Sequence, residues 1–187
     1  LRAVPPEDLA TMPDLAGGGP IHMHLAEQEA EVEEVRAAWG ARPAEWLLEN
    51  AAPGANWCLI HCTHMTPEET RRLAESGAVA GLCPITEASL GDGVFDATGW
   101  LAASGRFGVG SDSFVRVSLA EELRVLETGQ RLRDRSRAAL ATGALSTGRR
   151  LFEAAAAGGA QAAGRDAGRI APGAWADLLA LDGAAVD

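Results

Sequence analysis

The stretch Ile21-His22-Met23-His24-Leu25-Ala26-Glu27 sets two imidazoles and a carboxylate close together in an otherwise apolar run. Read as a strand, its side chains alternate, so His22 and His24 share a face and Glu27 follows at the exit. An imidazole pair beside a carboxylate suits a metal site with a proton carrier. Two other polar residues recur in a similar setting: His61 near the end of the apolar run 57–62, and Asp112 just past the run 107–110. Taken singly, each has an ordinary explanation, a hydrogen-bonded core histidine or a turn-capping aspartate. Together they weigh more, because burying two His and an Asp at the mouth of an apolar layer is costly unless something pairs them. His64 reads as a hydrogen-bonded loop residue, and Glu87, Asp92 and Asp96 as solvated loop charges.

The elements that must position these residues are four short apolar strands, at 21–26, 57–62, 79–83 and 107–110, each followed by a helical pattern. Such interleaving predicts a parallel sheet buried on both faces. Helices are predicted over 28–39 and over 43–50, the second with Pro43 at its first position. Thr66-Pro67-Glu68-Glu69 supplies an N-cap and a capping box for a helix reaching Ser76. Residues 84–96 read as a loop rich in Gly and Asp, 97–104 as a short helix, and Ser118 as the cap of a helix to about Leu132. An Ala-rich helical region covers 135–163, with Gly158-Gly159 as its break. The tail from Gly168 reads as a turn and an apolar strand of a separate small β layer.

Four βα units make half of an eight-stranded (β/α) barrel or a small open sheet. Polar residues at three different strand ends, without a glycine-rich phosphate loop, favour the barrel. The division predicted is a partial barrel over 1–165 and the start of a return to a small β domain over 166–187. Because the chain opens at Leu1 and reaches a strand only near Pro20, it is expected to be part of a longer protein.

Composition narrows the function classes. The 187 residues carry a net charge of -10, which gives no electrostatic reason to bind nucleic acid or anionic lipid. No apolar run approaches membrane-spanning length. All 16 basic residues are Arg, so no lysine Schiff base or lysine-bridged metal pair can be built. Cys58, Cys62 and Cys83 form no Cys-x-x-Cys pair, and a reduced, cytoplasmic setting is expected.

His22-Met23-His24-Leu25-Ala26-Glu27, then 58–64 with His61 and His64, then Gly81-Leu82-Cys83-Pro84, then Gly110-Ser111-Asp112-Ser113, resemble in order strands five to eight of the amidohydrolase superfamily. The branch resembled is the mononuclear-metal deaminases. Within it, the segments 26–28, 42–48, 61–66 and 82–93 look most like formimidoylglutamate deiminases. The tail segment 173–178 is similar to the superfamily's return strand. The fold implied is the C-terminal half of a (β/α)8 TIM-type barrel, with a last strand belonging to a small β-sandwich.

The resemblance implies roles residue by residue. His24 is the strand-five metal ligand, and Asp112 the strand-eight ligand that also accepts a proton. Glu27 shuttles protons, and His61 binds and polarises the substrate. The cofactor implied is one divalent metal, most readily Zn²⁺, with Fe²⁺ or Mn²⁺ accepted by the same ligands. The partners implied are a small-molecule substrate, the absent N-terminal half of the barrel and a second copy of the parent in a homodimer. Two departures stand out. The strand-one His-x-His of the superfamily has no counterpart before strand five, and Phe114 stands where a polar residue is expected.

Overall fold

The computed structural model describes residues 3–180 and Asp182. Its sheet consists of β1 (Ile21–Leu25), β2 (Trp57–His61), β3 (Val79–Leu82) and β4 (Arg106–Val109), in the order β1-β2-β3-β4, every neighbouring pair parallel. Sequential order with helical crossovers is the arrangement of a (β/α) repeat. It lacks the order reversal that makes a doubly wound sheet's switch point.

The helices are α1 (Pro6–Leu9), α2 (Met12–Ala16), α3 (Glu29–Trp39), α4 (Pro43–Asn50), α5 (Pro67–Glu75), α6 (Pro84–Leu90), α7 (Ala97–Ala102), α8 (Leu119–Asp134) and α9 (Thr147–Ala162). Start signals explain several of them. Thr66 Oγ1 accepts from Glu69 N at 3.2 Å while Glu69 Oε2 accepts from Thr66 N at 2.6 Å, which is the reciprocal capping box read from the sequence. Pro43 occupies the first turn of α4, and the Ser118 side chain caps α8.

Register assigns the two faces of the sheet. Ile21 pairs with Trp57, Met23 with Leu59, Leu59 with Ala80 and Ala80 with Phe107, so these residues line one side. They join Val32, Val35, Leu47, Leu73 and Leu126 in the core. The other side carries His22, His24, Ile60, Gly81 and Gly108 by the same register. His22 and His24 are exposed there, so the expectation of burial on both faces fails at β1. The second face is crowded by side chains at Gly81. A Cβ at Gly81 would lie 2.6 Å from Ile60 Cδ1 and 2.9 Å from Cys58 Sγ.

Helix α9 fastens the end of the sheet where the strands begin. Gln161 Nε2 donates to Ala55 O and Gly77 O at 2.8 and 2.9 Å, just before β2 and β3. His22 Nε2 donates to Ala162 O at 2.7 Å, so His22 holds a helix rather than a ligand.

Four further sequence expectations need correction. Residues 84–96 do not form one loop, because Pro84 starts α6. The Gly158-Gly159 pair does not break α9; Gly158 meets the backbone of β4, where a Cβ would lie 2.0 Å from Phe107 O. Residues 135–146 form turns and bends rather than helix. The tail strand does not form among the described residues, and Leu178 and Leu179 are exposed with no ladder partner. Residue 181 of that expected strand, and residues 183–187 of the expected return to a small β domain, lie outside the described residues. α1 and α2 were not legible, being a turn or so each.

Candidate functional site

The strands deliver their polar residues where they end, and the backbone there is unusual. Ala26, His61, Cys62 and Asp112 have φ of 50°, 69°, 52° and 49°. Left-handed conformations cost a non-glycine residue about 1 to 3 kcal/mol each, and they persist only where surrounding structure enforces them. Here they occur at or just past the exits of β1, β2 and β4.

His61 is the centre of the cluster and is fully buried. Its Nδ1 lies 3.1 Å from Glu87 Oε1, and its Nε2 lies 3.6 Å from Glu27 Oε1. The His24 ring sits beside it, centroids 5.3 Å apart. Burial works against a charged imidazole at His61, but the Glu87 hydrogen bond and charge, then the charges of Glu27 and Asp112, outweigh it. The result is a pKa above the ordinary value. Among the described residues Nε2 has no hydrogen-bond partner, although it is buried.

Supporting contacts hold the strand-end loops together. Glu27 N donates to Glu31 Oε2 at 3.0 Å, and Thr86 Oγ1 donates to Ser111 O at 3.1 Å beside Asp112. His64 Nε2 donates to Asp92 O at 2.6 Å, which bears out its reading as a loop residue. Gln28 Nε2 reaches Asp92 Oδ1 at 3.1 Å, so Asp92 is part of this tie rather than a solvated charge. Asp96 is likewise engaged: its carboxylate caps Gly99 N and pairs with Arg133.

Glu87 is the residue that sequence reading placed wrongly. It is buried, and its Oε1 accepts from both His61 Nδ1 and Cys83 N, the latter at 2.9 Å. A signal was present: Pro84 with Glu87 three residues on is a Pro-then-acid helix start, one residue wider than those of α4 and α5.

The donors present fit a divalent cation at the mouth of the sheet. An imidazole from β1, a carboxylate after β4 and an orphaned buried His61 Nε2 are borderline nitrogen and hard oxygen donors of the kind such ions take. Among the described residues, the set whose ligand-type atoms lie within 4.8 Å of one another is a different one, His61, Cys83 and Glu87. Its chemistry points to protons instead. Glu87 Oε1 already accepts two hydrogen bonds, and burial, aided by the charges of Glu87, Asp112 and Glu122, pushes the Cys83 thiol up to about 12.

A parallel sheet in sequential order, with its histidines and carboxylates gathered at the strand ends, defines an α/β protein of the (β/α) type with a polar strand-end site. The amidohydrolase family matches residues 16–187, and the chain belongs to that family. It is 54% identical to the formimidoylglutamate deiminase of Pseudomonas aeruginosa over 98% of this chain and 41% of that protein. Among solved structures it is similar to an amidohydrolase from Brucella melitensis (51% identity, TM-score 0.86, 89% of this chain and 38% of that one). It is also similar to an adenosine deaminase from Xanthomonas campestris with bound zinc (25% identity, TM-score 0.76, 86% and 36%). The chain thus spans about two-fifths of the length of these relatives. Cys58, Cys62 and Cys83 are free thiols, and among the described residues no helix is long and apolar enough to cross a membrane.

Proposed function

We propose that the protein to which this chain belongs hydrolyses N-formimidoyl-L-glutamate to N-formyl-L-glutamate and ammonia, in the cytoplasm, with a divalent metal, most readily Zn²⁺. The observation that carries the chemistry is the convergence of Glu27 Oε1 on the buried, unpartnered Nε2 of His61 at 3.6 Å. The choice of substrate leans on the 54% identity to the Pseudomonas protein. The fold reading behind it is strands five to eight of a (β/α)8 barrel.

In this reading His24 and Asp112 hold the metal, completed by ligands outside this chain. When bound, the ion supplies hydroxide at neutral pH by lowering the pKa of a water from roughly 16 to about 7. Asp112 accepts a proton at its carboxylate. His61 orients the formimino carbon through Nε2, within reach of Glu27. Once water has added across the formimino C=N bond, Glu27 carries a proton to the departing nitrogen, its C–N bond breaks and ammonia leaves. The buried position of His61 keeps bulk water from competing for its ring.

A second reading, deamination of a purine, is supported by the likeness to the Xanthomonas adenosine deaminase. Ammonia release by the full-length parent from N-formimidoyl-L-glutamate, adenosine and guanine separates the two. Preference for either purine compound would overturn the substrate proposed. The isolated 187 residues are expected to bind zinc weakly and to turn over negligibly, because catalytic zinc ordinarily has three protein ligands. Stoichiometric zinc with turnover in the isolated chain would refute this.

A further inference from the structure

The carboxylate beneath His61 is as closely engaged as the residues that face the cleft. Glu87 is 4% exposed and lies on α6, whose start is held from outside: Glu122 Oε2, on α8, accepts from Ile85 N at 2.9 Å. Glu87 reaches back across that first turn, so that one oxygen serves Cys83 N at 2.9 Å and His61 Nδ1 at 3.1 Å. That oxygen already accepts the Cys83 N–H, so it faces His61 as an acceptor and the proton on this bond belongs to Nδ1. In the neutral ring Nε2 then carries the lone pair, and Nε2 is the nitrogen turned toward Glu27.

His61 also needs restraint. Its φ of 69° is a conformation that a β-strand residue leaves readily unless it is held. Among the described residues, the Glu87 hydrogen bond is the side-chain bond that grips the ring from behind.

We infer that Glu87 is a positioning residue for His61, fixing the Nδ1–H tautomer and the ring direction so that Nε2 is presented to the substrate. Glu87 touches no reacting atom, and acts as a carboxylate behind a histidine does in many hydrolytic sites. The inference rests on the deaminase reading for its kinetic consequence, but the tautomer itself can be read without substrate.

The test uses the full-length parent with ¹⁵N-labelled histidine. Wild-type His61 is expected to show a protonated Nδ1 and a bare Nε2 in its neutral form. Glu87→Ala is expected to lose this preference and to lower kcat about 10- to 100-fold with KM within about twofold. Glu87→Gln keeps an acceptor oxygen for both donors, so it should retain the tautomer and rescue most of the loss in kcat. It also serves if Glu87→Ala does not fold. A wild-type or Glu87→Gln ring protonated on Nε2 instead would overturn the inference. So would Glu87→Ala activity within about twofold of wild type. If the parent releases no ammonia from formimidoylglutamate while the tautomers behave as stated, the functional reading fails and the positioning role stands.

Discussion

His24 and His61 face each other with ring centroids 5.3 Å apart and planes tilted by 47°, although the strand register pairs His61 with Leu25 and His24 with Ile60. Strict alternation would send His61 to the side of the sheet that Leu25 occupies, inside the apolar core. The left-handed backbone at His61 breaks the alternation and swings the ring to the side of His24. Local strain of about 1 to 3 kcal/mol is thus what brings the two imidazoles into one site.

This pairing separates a metal ligand from a proton carrier by experiment. In the full-length parent, His24→Ala and Asp112→Ala are expected to lose bound metal together with activity. Glu27→Gln is expected to retain the metal and to lower kcat about 10²- to 10⁴-fold, the usual worth of a positioned acid or base. Metal analysis of the purified variants beside their kinetics checks both. Full metal content in His24→Ala, or metal lost from Glu27→Gln, would reverse the roles proposed.

Glu122 gives a signed pH dependence. Burial first raises its pKa above 4.5, the Ile85 N–H opposes this, and the charges of Glu87 and Glu121 raise it further. An acid whose folded pKa is raised contributes stability that is fully present below its unfolded pKa and is lost as pH climbs through the folded value. Glu122→Gln removes that titration. Relative to wild type, the variant is therefore expected to be more stable at pH 7 than at pH 4 in urea unfolding. A stability difference that is flat with pH, or grows toward acid, would contradict the assignment.

The sequence revealed the strands and most of the helix starts, because short apolar runs and Pro or Thr caps are local signals. His61 and Asp112 were legible as strand-end residues for the same reason. Glu87 was not, since its burial depends on its carboxylate meeting His61 at the end of β2 and on α6 packing against α8, neither of which local pattern reports. The exposed face of β1 was missed for a related cause: alternation shows that His22 and His24 share a side, but not what covers it. The tail misled because an apolar run becomes a strand only when a neighbouring strand accepts its ladder.

Glu69 ties a helix cap to the loop behind the site. It completes the α5 capping box and accepts from Arg42 Nε at 3.1 Å, while the same guanidinium donates to His64 O at 2.8 Å. Thr66→Ala is expected to cost about 1 kcal/mol, as cap removal does. Glu69→Ala should cost more, about 2 to 3 kcal/mol, because it also strips a buried charged partner from Arg42. Chemical denaturation of the two variants compares them directly. Equal losses would mean that the Arg42 link adds nothing to the cap.

Two adjacent glycines in α9 should respond in opposite directions. At Gly158 a Cβ would lie 2.0 Å from Phe107 O and 3.0 Å from Phe107 N, both backbone atoms of β4 that cannot swing away. Gly158→Ala therefore has to move the helix off the strand, and the expected loss is about 3 kcal/mol, the upper end of ordinary overpacking. At Gly159 a Cβ would meet nothing within 4 Å. There the substitution only removes backbone freedom inside a helix, and Gly159→Ala is expected to gain about 0.5 to 1 kcal/mol. Thermal or urea unfolding of the pair measures both signs. A mild effect at Gly158 would show that α9 does not lie against β4 as closely as this geometry requires. A loss at Gly159 comparable to that at Gly158 would show that the helix is turned differently about its axis.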